Sequence, residues 1–238
     1  MEPVIGVVEW PCLDEYGNKV YTTPMAIINW ILRLNGAPRG IYPSRPEQFL
    51  DKRISELKEV TPDELRQLRE WVLGCDAIIK PGCNRIYPHD NLIYDIATEN
   101  DIPYLGICGG MQIMRNHKIP FVSNIKNETN INHFLQGGEY AHSVNIVNGS
   151  KLQSILEKDT IMVNSKHSYH VPDEGLKHVG AYAGDGIIEA LEDNDRTFNI
   201  GVQWHPELLP DDPNSVRIFG AFMDSARQYQ KEKHKRVF

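Results

Sequence analysis

The sequence predicts a doubly wound α/β domain, in which helices cover both faces of a mostly parallel central sheet. Short apolar runs rich in β-branched residues alternate with segments of helical spacing through the first half of the chain. Strands that are apolar throughout are typical of a parallel sheet buried on both faces. Because 238 residues lie within the range of one α/β core, we predict a single domain over residues 1–238.

The elements of the first half are signalled locally, with helix 61–74 marked most clearly. Thr61 stands at the N-cap position, Pro62 at the first helical position, Glu64 three residues after the cap, and Gly74 as a stop. The other segments follow the same alternation. Strands are predicted at 4–10, 76–80 and 102–107, and further helices at 22–37 and 91–100.

The pattern changes after residue 140. Short β-like segments then follow one another closely, some joined by turn signals such as "GDG" and "EDNDR". This spacing predicts hairpins, and therefore a small antiparallel extension of the sheet or a small second sheet. A helix over 214–232 is predicted to close the fold.

Composition excludes several classes of partner. The formal net charge is −7, and Lys and Arg are scattered apart from "KEKHKR" near the C-terminus, so we predict no nucleic acid partner. No apolar run approaches the roughly 20 residues of a membrane span. The N-terminus also lacks the basic and apolar regions of a secretory signal, so we predict no membrane partner and a cytoplasmic location.

We predict no metal and no cofactor. The four cysteines are too few and too irregularly spaced for a disulfide framework or a paired zinc site. The histidines lack a convincing ligand spacing, and "HSYH" at 167–170 is the nearest candidate. A phosphate-binding glycine loop is also absent from the sequence, which argues against ATP use.

Cys108 lies at a predicted turn from a strand to a helix. It follows the apolar strand 102–107 and precedes Gly109 and Gly110, which permit a tight backbone path. In a parallel sheet such a turn faces the ligand crevice, and free amides at a helix start favour a thiolate and can hold an oxyanion. "G-x-C-x-G" is the cysteine form of the nucleophile elbow of serine hydrolases, although free cysteines are also often inert core residues.

A nucleophile of this kind needs a base, and "IGVQWHPE" supplies a candidate. His205 and Glu207 stand two residues apart after an apolar run. If strand geometry continues to this point, both side chains lie on one side, so the carboxylate could orient the imidazole and stabilise its cation. A His-Pro-Glu sequence alone is more often a surface loop.

Together, "GICGGMQ" and "GVQWHPE", about 95 residues apart, resemble the class I glutamine amidotransferase superfamily. Its members use a Cys, a His and a Glu to hydrolyse a γ-glutamyl amide. The standalone length and "DGIIEALE" at 185–192 look most like the γ-glutamyl hydrolase branch, which includes enzymes that cleave γ-glutamyl-γ-aminobutyrate. The resemblance implies the flavodoxin-like fold of that superfamily.

The resemblance also implies roles for individual residues. Cys108 matches the nucleophile, His205 the general acid/base and Glu207 its orienting partner. Gly109 matches one backbone donor to the oxyanion, and "KPGC" resembles the loop that supplies the second, which places that role on Gly82.

Four further positions match the family's substrate pocket. Gln112 follows the nucleophile in the first helical turn. "VNSKH" at 163–167 resembles the family's "N-S-x-H" segment, so Asn164, Ser165 and His167 are expected to border the pocket. The implied reaction has a small-molecule γ-glutamyl substrate and a glutamyl thioester intermediate.

Some positions depart from the family pattern. Gly109 replaces an Arg that branch members often carry, Cys83 replaces the second glycine of "P-G-G", and Ser168 and Tyr169 replace "H-Q". These changes leave the three catalytic matches intact and put substrate choice in doubt.

The loop after Gly82 is short, so a family contact to the far part of the substrate is expected to be missing. Arg85 and Tyr87 are candidates to replace it, or are ordinary surface residues. The sequence leaves the leaving amine open.

Two other functions and two kinds of assembly stay open. A glutaminase subunit could deliver ammonia to a partner synthase, with the charged residues 43–75 as its docking surface. A noncatalytic thiol-sensing protein could link Cys83 to Cys108 on oxidation. A homo-oligomer is compatible with the sequence, as is the synthase partner.

Overall fold

The structure is a computed structural model that describes most of the chain. The described residues are 1–42, 59–83, 86–115, 123–124, 129–135, 138–173 and 178–237. The α-helices among them are α1 (Met25–Arg33), α2 (Pro62–Leu73), α3 (Pro88–Glu99), α4 (Gly109–Ile113), α5 (Lys151–Leu156) and α6 (Pro213–Val237). No helix in these ranges is both long enough and apolar enough to cross a membrane.

The strands fall into an N-terminal and a C-terminal group. The first group is β1 (Val4–Val8), β2 (Trp10–Leu13), β3 (Lys19–Thr22), β4 (Ala37–Ile41), β5 (Ala77–Lys80), β6 (Tyr104–Ile107) and β7 (Ser123–Asn124). The second is β8 (His142–Ile146), β9 (Thr160–Val163), β10 (Tyr169–His170), β11 (Val179–Ala183), β12 (Ile188–Glu192) and β13 (Asn199–Val202).

Nine of these strands form one mixed sheet in the order β4-β1-β5-β6-β13-β12-β11-β8-β9. The five strands from β4 to β13 are parallel. Numbered along the chain, their order is 2-1-3-4-5, which is the flavodoxin-like order of doubly wound sheets. The predicted doubly wound, mostly parallel sheet is therefore confirmed.

The other four strands of the large sheet run antiparallel to their neighbours. They are four of the close-spaced segments predicted after residue 140, so the predicted antiparallel extension is also confirmed, whereas the last such segment, β13, pairs in parallel with β6. Two small antiparallel pairs, β2 with β3 and β10 with β7, lie outside the large sheet.

Helices pack on both faces of the sheet. On one face α1 and α6 meet, and the rings of Trp30 and Phe219 stack at 4.5 Å. On the other face Leu68 of α2 and Ile93 of α3 pack against alternate residues of the same strands. These two apolar layers hold the parallel strands, and their carboxyl ends, in a fixed arrangement.

The predicted cap of α2 is present. The Thr61 Oγ1 accepts a hydrogen bond from the amide of Glu64 at 3.4 Å, and the Glu64 carboxylate accepts from the amide of Thr61 at 2.8 Å. This reciprocal capping box satisfies two amides that have no acceptor within the helix.

Two predicted segments differ from the structure. The predicted strand 4–10 ends at Val8, and the chain then turns into the β2–β3 hairpin. The predicted helix 22–37 is shorter, because Asn35 adopts a left-handed φ of 57° that ends the helical path. Ala37 then begins β4.

Candidate active site

The candidate site lies at the carboxyl ends of three neighbouring strands. Cys108 follows β6 directly, Gly82 comes two residues after β5, and His205 three residues after β13. Because β6 pairs with both β5 and β13 in parallel, these three chain segments leave the sheet at the same edge. That edge is where doubly wound sheets bind ligands.

Cys108 occupies a strained turn between β6 and α4. Its φ of 51° and ψ of −107° are unusual for a residue with a side chain. Its amide is held by the carbonyl of Val202 at 2.8 Å, and Gly109 begins the helix immediately afterwards. Strain of this kind costs on the order of 1–3 kcal/mol and is typical of functional turns such as the nucleophile elbow.

His205 and Glu207 are in direct contact. The His205 Nδ1 lies 2.6 Å from the Glu207 Oε1, and both side chains are largely buried. The geometry differs from the predicted continuation of a strand: β13 ends at Val202, and Pro206 begins a short 3₁₀ turn that contains Glu207. The turn brings the carboxylate to the ring, which leaves Nε2 available to Cys108.

The environment of His205 favours its cationic form. Burial alone would lower the pKa of the imidazole, but the charge of Glu207 and hydrogen bonds with Cys108 and Glu207 outweigh it and raise the pKa to about 10. An imidazolium beside the sulfur is the counter-ion that a thiolate needs.

Asn164 holds the backbone of His205 and not a ligand. Its Oδ1 accepts from the His205 amide at 2.9 Å, and its Nδ2 donates to the His205 carbonyl oxygen at 2.8 Å. Its side chain is almost completely buried. Asn164, expected on the pocket border, is not among the described residues that line the cleft.

Gly82 and Gly109 each stand where a side chain would collide with the site. A Cβ on Gly82 would lie 2.7 Å from the His205 Cε1 and 3.2 Å from the Cys108 Cβ. A Cβ on Gly109 would lie 2.9 Å from the Cys83 Sγ. The two departures from the family pattern at 83 and 109 are thus in contact, and Cys83 fills space beside Gly109.

A cleft of about 370 Å³ opens over these residues, a size within the usual range for small-ligand sites. The described residues that line it are Trp10, Pro11, Gly82, Cys83, Tyr87, Cys108, Lys166 and His205. Predicted candidate Tyr87 is among them. Arg85, the other candidate of that loop, lies outside the described residues, as do residues 43–58 of the suggested docking surface.

The other predicted substrate contacts lie away from this lining. Ser165 is buried and donates to the carbonyl of His133 at 2.8 Å. Gln112 donates to the carbonyl of Tyr169 at 3.3 Å and to the Oε1 of Gln203 at 3.1 Å. Both side chains thus have partners within the protein, and neither is among the described residues that line the cleft.

Sequence reasoning missed Lys166, which is exposed and lines the cleft beside Cys108. It stands between two buried residues of the segment 163–167. Lys166 could have been predicted to line the cleft, because it is a cation in a segment that was already assigned to the pocket.

His167 also belongs to a different site from the one predicted. It joins His133, His142 and Glu189 in a buried cluster whose potential ligand atoms all lie within 4.8 Å of one another. Such a group could hold a metal ion, although the sequence analysis assigned none. The signals that were missed are a histidine on the buried face of β8 and a carboxylate inside the apolar strand β12.

The fold is shared with three solved structures, of which one is named as a glutaminase domain. The glutaminase domain of Trypanosoma brucei CTPS with bound acivicin aligns over 95% of this chain and 94% of its own, with a TM-score of 0.67 and 21% identity. A Thermoplasma acidophilum protein named as a component of GMP synthase covers 98% of both chains, at a TM-score of 0.63 and 16% identity. PurLQS from Thermotoga maritima aligns over 94% of this chain and 99% of its own, with a TM-score of 0.59 and 14% identity.

The sequence itself matches the Peptidase C26 family over residues 87–207, about half of the chain. The matched range runs from Tyr87 to Glu207 and so includes Cys108 and His205. The match supports a hydrolase and a reaction of the glutamine-amidohydrolase type. This chain belongs to the Peptidase C26 family.

Proposed function

We propose that the protein hydrolyses a γ-glutamyl amide through Cys108, His205 and Glu207. The observation that carries the proposal is the convergence of a strained cysteine, a histidine that lines the same cleft, and a carboxylate in contact with that histidine. Members of the Peptidase C26 family are hydrolases, and the three residues are the parts that a cysteine hydrolase needs.

In the first step, the Cys108 sulfur attacks the carbonyl carbon of the γ-glutamyl amide. Negative charge develops on the carbonyl oxygen, where the backbone amides of Gly82 and Gly109 donate to it. Gly109 is the first residue of α4, so its amide has no acceptor within the helix. Collapse breaks the C–N bond, His205 gives its proton to the departing amine, and a glutamyl thioester remains.

In the second step, His205 takes a proton from water, which attacks the thioester carbonyl. The same two amides hold the new oxyanion. Its collapse breaks the C–S bond, releasing glutamate and returning Cys108 to its thiolate form. Glu207 stabilises the imidazolium form of His205, which is present before the first step and again after the proton is taken from water, and it fixes the ring so that Nε2 faces the sulfur.

The cleft fits a small anionic substrate. Lys166 contributes positive charge to the wall, while Trp10 and Tyr87 contribute aromatic surface. We assign Lys166 the α-carboxylate of the γ-glutamyl group, because an ammonium and a carboxylate form a charge-assisted hydrogen bond. The leaving amine then faces Trp10 and Tyr87.

The experiment that tests this proposal joins labelling to a release assay. A glutamine-like diazoketone should add once, at Cys108, and the protein should release glutamate from at least one member of a panel of γ-glutamyl amides. Cys108→Ala should abolish both while leaving the unfolding temperature within a few degrees, and Cys12→Ala serves as the matched control. Turnover that persists in Cys108→Ala contradicts the proposal.

A second candidate is a glutaminase that delivers ammonia to a separate synthase. It is favoured by the fold-level likeness to a protein named as a component of GMP synthase. In that case the same panel should give activity on glutamine alone, weak in isolation and raised by a co-purifying synthase. Release of glutamate from other γ-glutamyl amides, in the absence of a partner protein, would support the hydrolase and exclude this second candidate.

A further inference from the structure

A buried cluster of three histidines and one glutamate lies behind the cleft wall. His142 stands on β8, Glu189 on β12, His167 follows β9, and His133 lies in the segment 129–135. All four side chains are almost fully buried. A buried carboxylate needs compensation by a cation or by several hydrogen bonds, so this cluster requires an explanation that the proposed reaction does not give.

The partners of each ring fix which nitrogen faces Glu189. The Nδ1 atoms of His142 and His167 contact the carbonyl oxygens of Ser143 at 3.2 Å and Tyr169 at 2.9 Å. A carbonyl oxygen can only accept, so both Nδ1 atoms carry the hydrogen. In the neutral rings, each Nε2 therefore presents a lone pair to the centre of the cluster.

His133 is also held by an outer partner, but through Nε2, so that its Nδ1 is the nitrogen that faces the cluster. Its Nε2 lies 2.9 Å from the Oδ2 of Asp185, a carboxylate that also accepts from the amide of Ile187 at 3.2 Å and from the hydroxyl of Thr129. The Nε2 of His133 is accordingly the donor, and its Nδ1 faces the cluster. A histidine whose outer N–H is held by a carboxylate is the usual orientation of a metal ligand.

Within the described residues, the Glu189 carboxylate at the centre of the cluster is poorly supplied with hydrogen bonds. Within the described part of the chain, neither carboxylate oxygen of Glu189 has a hydrogen bond of good geometry, nor does the Nε2 of His142. When the three rings are neutral, three lone pairs and a carboxylate therefore point at one another. A cation between them removes this repulsion and satisfies all four groups at once.

Four of the six distances between the potential ligand atoms match a tetrahedral metal ion. The Glu189 Oε1 lies 3.2 Å from the His133 Nδ1, 3.6 Å from the His142 Nε2 and 3.4 Å from the His167 Nε2. The His133 Nδ1 and His167 Nε2 are 3.3 Å apart. A tetrahedral Zn²⁺ with bonds of about 2.0–2.1 Å has ligand atoms about 3.3 Å apart.

We propose that His133, His142, His167 and Glu189 bind one Zn²⁺ ion as a structural site. Three imidazoles and a carboxylate suit this metal, and four protein ligands leave no position for a substrate or water. Asp185 and the carbonyls of Ser143 and Tyr169 act as the outer partners that orient the rings.

A bound metal ion would stabilise the wall of the cleft that carries Lys166. The amide of His167 donates to the carbonyl of His133 at 2.8 Å, and Phe134 forms a β-bridge with Lys166. Metal binding would thus tie the segment 129–135 to the loop that carries Lys166. This role is independent of the proposed reaction, because none of the four ligands lines the cleft with Cys108.

The test measures metal on the full chain. Protein purified from zinc-supplemented medium should contain one zinc per chain by elemental analysis. Chelator treatment should lower its unfolding temperature, and added Zn²⁺ should restore it. Co²⁺ added to the stripped protein should give the visible absorption of a tetrahedral site. The proposal is overturned if the wild-type protein contains no bound zinc and its unfolding temperature does not change when Zn²⁺ is added.

Variants then identify the ligands. Glu189→Gln and His142→Gln should lose stoichiometric zinc, whereas His178→Gln, a surface histidine bonded to Asn194, should keep it. Asp185→Asn retains all four ligands and should weaken Zn²⁺ affinity by about 10- to 100-fold, measured by competition with a chromophoric chelator. Wild-type affinity in Glu189→Gln and His142→Gln would place the zinc elsewhere.

Discussion

The side-chain amide of Asn164 spans the backbone of His205, accepting from its N–H at 2.9 Å and donating to its carbonyl oxygen at 2.8 Å. The amide thereby fixes the chain where it leaves β13, and with it the direction of the His205 ring. The ring itself is held by Glu207 through Nδ1. Backbone and side chain of one residue are therefore positioned by two different partners.

Asn164→Ala should lower activity by disturbing the position of His205. The His205 amide would lose its partner, which costs on the order of 1–3 kcal/mol of stability, and the His205 carbonyl would retain only the amide of Leu208 at 3.2 Å. A shift of the ring by a fraction of an ångström should reduce kcat by about 10- to 100-fold with little change in KM. Steady-state kinetics with the best γ-glutamyl amide, and urea unfolding, provide the two measurements.

Asn214→Ala is the control for this prediction. Asn214 is also a buried asparagine, but it bonds Lys158 and Asp212 at the start of α6. It should lose stability and retain kcat. Equal kcat in the Asn164→Ala variant and the wild type would show that this bridge does not position His205.

Gly82→Ala should remove activity with little loss of stability. The added methyl group would stand 2.7 Å from the His205 Cε1 and 3.2 Å from the Cys108 Cβ, so the ring or the oxyanion loop must move. We expect kcat/KM to fall by at least about 100-fold, because both the base and one oxyanion donor are displaced. Diazoketone labelling of the variant should slow in parallel.

The matched control is Gly220→Ala. This glycine lies in α6 with no atom near its missing Cβ. The substitution should leave kcat/KM unchanged and raise stability by up to about 1 kcal/mol, since Ala is the better helix former. A Gly82→Ala enzyme as active as Gly220→Ala would remove Gly82 from the proposed oxyanion site.

Lys166 should set the affinity for the γ-glutamyl group. Lys166→Met retains the aliphatic stem but removes the charge that we assign to the substrate α-carboxylate. A charge-assisted hydrogen bond is worth about 1.5–3 kcal/mol, so KM should rise by about 10- to 100-fold while kcat changes less. Lys166→Arg should recover part of the loss, and Lys231→Met on the exposed side of α6 should have no effect. An unchanged KM in Lys166→Met contradicts the assignment.

The first half of the fold could be predicted because its signals are local. The cap at Thr61, the apolar strands and the glycines after Cys108 each act within a few residues. Strand β4 was not predicted, because its sequence, "APRGI", contains Pro38 and Gly40, and both residue types are uncommon in strands. Proline is tolerated there because β4 lies at the edge of the sheet, and that position follows from topology and not from local pattern.

The site shows the same division. The turn at Cys108 and the contact between His205 and Glu207 could be predicted, because a strand-to-helix turn and a two-residue spacing are local features. The places of Asn164, Ser165 and His167 could not, because burial and pairing across distant strands decide whether a side chain points into the cleft or behind it. The zinc proposal depends on four segments that no sequence spacing joins.

The raised pKa of His205 predicts a specific dependence of stability on pH. Folding raises the pKa from its ordinary 6.5 to about 10, so the folded protein binds a proton at His205 that the unfolded chain releases between those values. The resulting stabilisation is complete below pH 6.5 and is lost as the pH rises through the folded value. The slope can approach about 1.4 kcal/mol per pH unit within this window.

The measurement needs a background in which the thiol cannot titrate. In Cys108→Ser, Glu207 still contacts the ring and supplies the main interaction that raises the pKa. The free energy of unfolding in urea should therefore fall between about pH 7 and pH 9 by more in Cys108→Ser than in Cys108→Ser/His205→Gln. All other titrating groups are common to the two proteins, so the difference reports His205 alone. Parallel pH profiles would mean that Glu207 alone does not raise the pKa of His205 in the folded protein.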